Sequence, residues 1–364
     1  MQPEIGQKIR SVCPDLLDWD DLEVQTVKDP GAPLSVVSSL GVIHAGVEEG
    51  SAVYRLRAGG RSLILKRHSD PVVLRREVAN ITFVNHAGRF APEIHYADDA
   101  TGAILMEDLG DESLAFLWNN QMMDEYVEWL YESVGIVVSV HSFYHREPGR
   151  LDALYGGPVP EREPYVPLPD GLVQSLDQIL DVSRGCHLEA RDRRFLQSAE
   201  RKIRADVRRF DKEHNDFILD ITPWHLIRKE GRIRVIDLTA PPIGSMLFHF
   251  EPAIWHLEQR REILESYLDR RAEEGLPMPD RNEFLYLEDA LHALECVDWI
   301  GRYCRDILGG EQVLRGLDGG KLDDYAGDEA ENLEAARRAL ECHEELSEVL
   351  DVLDKYFGLP LATQ

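Results

Sequence analysis

The hydrophobic rhythm of the chain changes part-way along it. Positions 34–42, 51–57 and 62–67 are short apolar runs bounded by turn formers, the pattern of β-strands. Between the last two, Ala58-Gly59-Gly60-Arg61 supplies the glycines that a tight hairpin turn needs. From 71 to 88 the spacing becomes helical, with Val73, Glu77, Ile81 and Asn85 down one side and Gly88 closing the helix. Positions 92–96 and 103–106 predict two further strands. Before all of these, a polar stretch ends in the breaker cluster Asp29-Pro30-Gly31-Ala32-Pro33, which predicts a boundary ahead of the first regular strand.

Glu107-Asp108-Leu109-Gly110-Asp111 interrupts the pattern as a polar connector, and a mainly helical region follows. Tyr126, Leu130, Val134, Val137 and His141 share one helical face. A Pro/Gly-rich stretch at 149–171 predicts an exposed excursion. Phe195, Ala199, Ile203, Val207 and Phe210 then form the stripe of another helix. Short strands return at 217–219, 226–228 and 233–236, and two long helices are expected at 282–308 and 328–357. The expectation is an α+β chain of two lobes, 1–108 with a sheet and one helix, and 109–364, larger and mainly helical.

Charge removes several function classes. The 364 residues carry 40 Lys+Arg against 67 Asp+Glu, a formal charge of -27, so the chain as a whole repels polyanions and no nucleic-acid partner is expected. Of the forty basic residues only eight are lysine. No apolar run approaches the roughly 18 residues that a membrane helix needs. Acids within 1–21 stand where a secretory leader would be apolar, so a cytoplasmic protein is expected. Cys13, Cys186, Cys296, Cys304 and Cys342 are scattered and form no C-x-x-C pair, which argues against structural zinc.

Candidate chemistry is spread along the chain. Lys66 ends an apolar strand, and Glu77 lies eleven positions later on the predicted helix; a strand lysine oriented by a helix carboxylate can hold nucleotide phosphates. His44-Ala45-Gly46-Val47-Glu48-Glu49-Gly50-Ser51 lies between two strands, where small residues such as Gly46 and Ser51 let backbone N–H groups approach phosphates. Downstream, Asp220 and Asp237 bracket a short hairpin. One carboxylate there can accept a proton from an attacking hydroxyl and the other can hold Mg²⁺.

Over roughly 34–250 the sequence resembles the aminoglycoside phosphotransferase and choline kinase-like branch of the protein-kinase-like fold. Tyr54-Arg55-Leu56 through Leu65-Lys66 looks like that family's second and third strands, and Ile104-Leu105-Met106-Glu107-Asp108-Leu109 looks like its hinge. The family's catalytic loop reads His-Gly-Asp, four residues, then Asn, followed by a Val-Ile-Asp strand. The resemblance implies a two-lobed fold binding ATP or GTP with Mg²⁺ or Mn²⁺. It also implies Asp220 as catalytic base, Asp237 on the metal, Lys66 and Glu77 as the phosphate-anchoring pair, and Glu107 and Leu109 at the nucleotide hinge. Ile218-Leu219 replaces the family's His-Gly, His225 stands at its metal-binding Asn, and Ser245 stands where it has an acid after Gly244. Because Mg²⁺ prefers oxygen, His225 in the metal set weakens that position or favours a softer ion such as Mn²⁺.

The expected activity is ATP-dependent phosphotransfer to a hydroxyl of a small molecule such as an aminoglycoside, sugar or other natural product. Two alternatives stand beside it. A kinase-like enzyme could modify Ser or Thr of a peptide, docked on the basic helix 191–209, where eight basic residues face three acids. The departures also suit a pseudokinase binding module without phosphotransfer. Oligomeric state is not legible, since an apolar helix face serves a core or an interface equally well.

Overall fold

The computed structural model describes residues 10–11, 21–28, 51–162, 171–247, 249–255, 257–308 and 321–357. The strand expected at 34–42 and the loop residue Gly46 lie outside them. The chain divides into two compact units, one of Met1–Arg162, Asp216–Gly244 and Glu265–Pro277, the other of Glu163–Asn215, Ser245–Leu264 and Met278–Gln364. The division expected after Asp108 therefore falls inside the first unit.

The first unit holds a five-stranded antiparallel sheet in the order β1-β2-β3-β5-β4, made of β1 (Glu23–Lys28), β2 (Ala52–Ala58), β3 (Arg61–Arg67), β4 (Ile94–Asp98) and β5 (Ala103–Glu107). Strand β1 corrects the polar reading of the first residues. Its Val24 and Val27 stay exposed, so it carries little hydrophobic signal, and main-chain pairing with β2 defines it. Leu56 and Ala58 of β2, Leu63 and Leu65 of β3, and Ala103 and Leu105 of β5 form one buried cluster, the alternate positions that a pleated strand sends to one face. Gly59 and Gly60 close the β2–β3 hairpin at φ 56° and 77°.

Helix α1 (Pro71–Gly88) starts where the Asp70 carboxylate accepts from Val72 N–H at 2.8 Å, with Pro71 in the first turn. It ends on Arg89, which takes the left-handed conformation expected of Gly88. A Cβ on Gly88 would stand 2.2 Å from the Phe90 ring, which would have to shift to admit it. Helices α2 (Leu114–Asn119), α3 (Met123–Arg146) and α4 (Pro148–Tyr155) follow. The last occupies the start of the stretch expected to be an exposed excursion, opened by Pro148 and closed by Gly156 at φ 67°. The predicted face of α3 is buried from Tyr126 through His141.

The second unit is helical: α5 (Leu172–Arg184), α6 (Ala190–Glu213), α7 (Glu251–Ile254), α9 (Arg281–Leu308), α10 (Lys321–Glu341) and α11 (Ser347–Phe357), while α8 (Arg260–Glu273) contributes to both units. Helix α9 lies against α5 and α10. Gly301 of α9 permits the closest approach, because a Cβ there would stand 2.8 Å from Ser175 Cα. The single helix expected at 328–357 is broken, with a 3-10 turn at Glu344–Leu346 between α10 and α11. In α6 the stripe holding Ile203, Val207 and Phe210 is buried, as its spacing predicts.

Short strands β6 (Asn215–Phe217), β7 (Leu226–Lys229), β8 (Arg232–Val235) and β9 (Ile243–Ser245) complete the chain. β7 and β8 form the expected hairpin, turning at Glu230 and Gly231 with φ 52° and 74°.

One glycine bears directly on the site. Gly102, at φ 65° in the β4–β5 turn, accepts from His68 N–H at 2.8 Å, and a Cβ there would stand 2.3 Å from His68 O. Gly102→Ala is expected to cost about 3 kcal/mol through strain and overlap, against about 1 kcal/mol for Gly60→Ala, whose Cβ would point into open space. Denaturant unfolding of both variants measures the difference, and equal losses would contradict it.

Candidate active site

Lys66 is the centre of the polar cluster. Its Nζ donates to Glu77 Oε1 at 2.8 Å and to Asp237 Oδ1 at 2.5 Å, joining β3, α1 and the segment after β8. Burial works against the ammonium, but the two carboxylates outweigh it and raise the pKa above the ordinary lysine value. Glu77 is buried and held from its other side by His68, whose Nε2 lies 2.5 Å from Oε2. His68 stands just past the end of β3 and two residues after Lys66, the interval that returns a strand side chain to the same face.

Asp237 follows β8 with φ 59°, a conformation unusual outside glycine. Across 3.6 Å its Oδ2 meets His225 Nε2. His225 Nδ1 lies 3.2 Å from the backbone oxygen of Asp220, which can only accept, so Nδ1 carries the proton. In the neutral ring Nε2 then presents a lone pair to Asp237 Oδ2. His225 also anchors the loop by main-chain bonds, its N–H to Thr222 O at 3.1 Å and its oxygen to Ile236 N–H at 2.9 Å.

Asp220 is tied to this group through the His225 contact. Its carboxylate is gripped by Arg162, whose Nη1 and Nη2 donate at 2.8 and 3.1 Å. Arg162 is itself fixed by its neighbours. Its N–H donates to Ile243 O at 2.6 Å, its Nε donates to Pro241 O at 2.7 Å, and a Cβ on Gly244 would crowd its stem at 3.2 Å. Nothing in the local sequence signalled this pairing, because the partners are 58 positions apart.

Lys66, Glu77, Asp237, His225 and Asp220 are thus brought together by the fold of the first unit. No family model matches the chain, and no curated protein matches it. Among solved structures it is similar to a microcompartment-associated aminopropanol kinase, at 14% identity and a TM-score of 0.51, over 83% of this chain and 91% of that one. It is also similar to a Ralstonia eutropha protein described as an aminoglycoside phosphotransferase, at 11% identity and a TM-score of 0.50, over 93% and 97%. The chain has the protein-kinase-like fold.

The side chains of the segment expected to be the hinge are engaged within the first unit. Glu107 accepts from Lys229 Nζ at 2.8 Å, and Asp108 accepts from Ser62 Oγ at 2.5 Å and from Arg55. Burial would raise both carboxyl pKa values, but the Lys229 bond on Glu107 and the Ser62 and Arg55 bonds on Asp108 hold them below the usual range. Leu109 is buried. Ser51 is buried directly before β2, while its loop partner Gly46 lies outside the described residues.

Below Asp220 the chain is held by a buried group that the sequence did not suggest. Asp216 Oδ2 accepts from Arg271 Nη1 at 2.7 Å, and His145 Nε2 lies at 3.2 Å. Arg271 also donates to His141 Nδ1 at 2.6 Å, so the His141 proton sits on Nε2 and donates to Phe217 O at 2.8 Å. His141 is therefore neutral, and burial and the Arg271 charge lower its pKa to about 4 against the opposing pull of Asp216. Burial would raise the Asp216 pKa, yet Arg271 and the His145 bond hold it well below the carboxylate range.

A histidine of folded pKa about 4 and unfolded value near 6.5 leaves the unfolded chain binding the extra proton between those limits. Stability should fall by up to about 3 kcal/mol as pH drops from about 6.5 to about 4. Asp216 acts in a lower window, because its contribution is lost only as pH falls below the unfolded carboxylate value. Urea unfolding across this range should give a shallower slope for His141→Gln; an unchanged slope would remove His141 as its source.

Proposed function

We propose that the protein is an ATP- or GTP-dependent phosphotransferase acting on a hydroxyl of a small molecule. The observation that carries this reading is the Lys66 ammonium held between Glu77 of α1 and Asp237 after β8. One ammonium against two carboxylates leaves an excess of negative charge, and the carboxylate nearer solvent is Asp237. Such a group suits anionic phosphates at Lys66 and a divalent cation at Asp237. The kinds of molecule named for the two structural relatives, an amino alcohol and an aminoglycoside, are hydroxyl compounds of the proposed acceptor class.

Among the described residues no group of three or more His, Cys, Asp or Glu is placed to hold a metal ion. The donors fit instead an ion shared with the nucleotide: Asp237 and His225 face each other as acceptors, and Mg²⁺ commonly takes one or two carboxylates and completes its shell with phosphate oxygens and water. When bound, such an ion would neutralise charge on the transferring phosphoryl group. Lys66 then steadies the phosphates and Glu77 keeps it aimed at them. Asp220 orients the acceptor hydroxyl and takes its proton, while Arg162 holds the carboxylate in one geometry.

A binding module without phosphotransfer is the second reading, favoured by one contact: both Asp220 oxygens are engaged by Arg162. Calorimetric titration of ATP and GTP, with Mg²⁺ or Mn²⁺, should give saturable binding weakened about ten- to hundredfold in Asp237→Asn. Absence of binding in every combination would remove the nucleotide site.

The two readings part on turnover in the wild type, and Arg162 then tests how Asp220 is used. With amino alcohols, aminoglycosides and sugars as acceptors and nucleoside diphosphate release as readout, Arg162→Gln should lower turnover about tenfold or more at unchanged nucleotide affinity. A rise in turnover would mean that Arg162 restrains Asp220 rather than orienting it.

A further inference from the structure

Helix α6 presents an exposed line that neither the core nor the candidate active site uses. Arg191, Arg194, Ser198, Arg201, Ala205, Arg208 and Lys212 follow one another at alternating steps of three and four, which keeps them on one helical face, and all are exposed. Lys202 is exposed beside them. Over the 191–212 span the line is about 31 Å long.

Among the described residues these cations form no salt bridge. Neighbouring basic residues on the same helix are paired: Arg193 with Asp177, Arg204 with Glu200, and Arg209 with Asp206 and Glu283. Among the described residues Arg191, Arg194, Arg201, Lys202, Arg208 and Lys212 make no ion pair, and Arg201 only returns its Nε to Gln197 O. In a chain of net charge -27 they are an unneutralised strip of one sign. Unpaired like charges at successive turns repel one another, so the strip costs stability unless an anion covers it.

We infer that this strip docks an acidic polypeptide segment, a helix whose Asp or Glu side chains repeat every seven residues. Arg194, Arg201 and Arg208 recur at that interval, and the small Ser198 and Ala205 between them leave room for a partner backbone to come close. Guanidinium forks bind carboxylates with two parallel hydrogen bonds. A bilayer or a nucleic-acid duplex would extend past a strip one helix wide and meet a protein of strongly negative charge. Single-stranded nucleic acid gains much of its affinity by stacking on aromatic rings, and the strip has none. The inference does not depend on phosphotransfer at the Lys66 site.

The test uses the full chain and a fluorescein-labelled, helix-forming peptide of about 21 residues with Glu at alternating steps of three and four. Anisotropy should show saturable binding that weakens steeply with added salt. Arg194→Glu/Arg201→Glu/Arg208→Glu should weaken it about tenfold or more, and a Lys-for-Glu peptide should bind this variant better than the wild type. Far-UV circular dichroism and nucleotide titration, both expected to be unchanged, separate loss of docking from misfolding. No salt-dependent binding to the wild type, equal affinity in the triple variant, or preferential binding of phosphatidylglycerol vesicles or a single-stranded oligonucleotide would overturn the inference.

Discussion

A buried ammonium needs anions, and in this protein the need is met by joining three remote parts of the chain. Lys66 lies eleven positions from Glu77 and 171 from Asp237, yet its nitrogen bonds to both. An isolated charge at such depth would be neutralised or expelled, and losing one partner of a buried pair costs about 3–5 kcal/mol. The central strand β3, the helix α1 and the segment after the β7–β8 hairpin are therefore joined at a single side chain. His68 adds a second contact to Glu77 and holds the carboxylate from its other side.

The loops around this centre are held by polar contacts that aliphatic packing could not replace. Asn80 of α1 donates to Leu238 O and Ala240 O at 2.8 and 3.0 Å, fixing the backbone just beyond Asp237. Tyr155 in turn donates to Asn80 Oδ1 at 2.8 Å. Asp216 and Arg271 hold the start of the Asp220 segment from below, where Phe217 stacks on Phe83 of α1 at 4.9 Å. Irregular backbone carries unpaired N–H and C=O groups, and side-chain amides, hydroxyls and guanidinium groups satisfy them where no ladder can.

The Arg-rich composition acquires a structural meaning in this setting. Arg271 and Arg337 are almost fully buried, and Arg55 is mostly so, each against acidic partners. A planar guanidinium keeps its charge at any accessible pH and can serve several acceptors, which suits it to interior pairing better than a lysine ammonium. The exposed cations of α6 do not follow that pattern. Their neighbours at 193, 204 and 209 are paired, so the lack of ion pairs along the strip, among the described residues, is a local feature of one face of the helix.

Periodicity within the sequence determined the β2–β3 hairpin, helix α1, the buried face of α3, the stripe of α6 and the β7–β8 hairpin, because each depends on residues close together in the chain. The spacing of Lys66, Glu77, Asp220, His225 and Asp237, with the resemblance it carried, was enough to nominate one site. Tertiary structure alone decided what those residues touch. Arg162 on Asp220, His68 on Glu77, and Arg271 between His141 and Asp216 unite residues that no local pattern relates. It likewise decided that β1 is a strand despite its exposed valines, and that Arg89 rather than Gly88 takes the left-handed cap position of α1. The physical reason is common to all of them: side-chain burial leaves a period in the sequence, whereas pairing between distant charges and between edge-strand backbones leaves none.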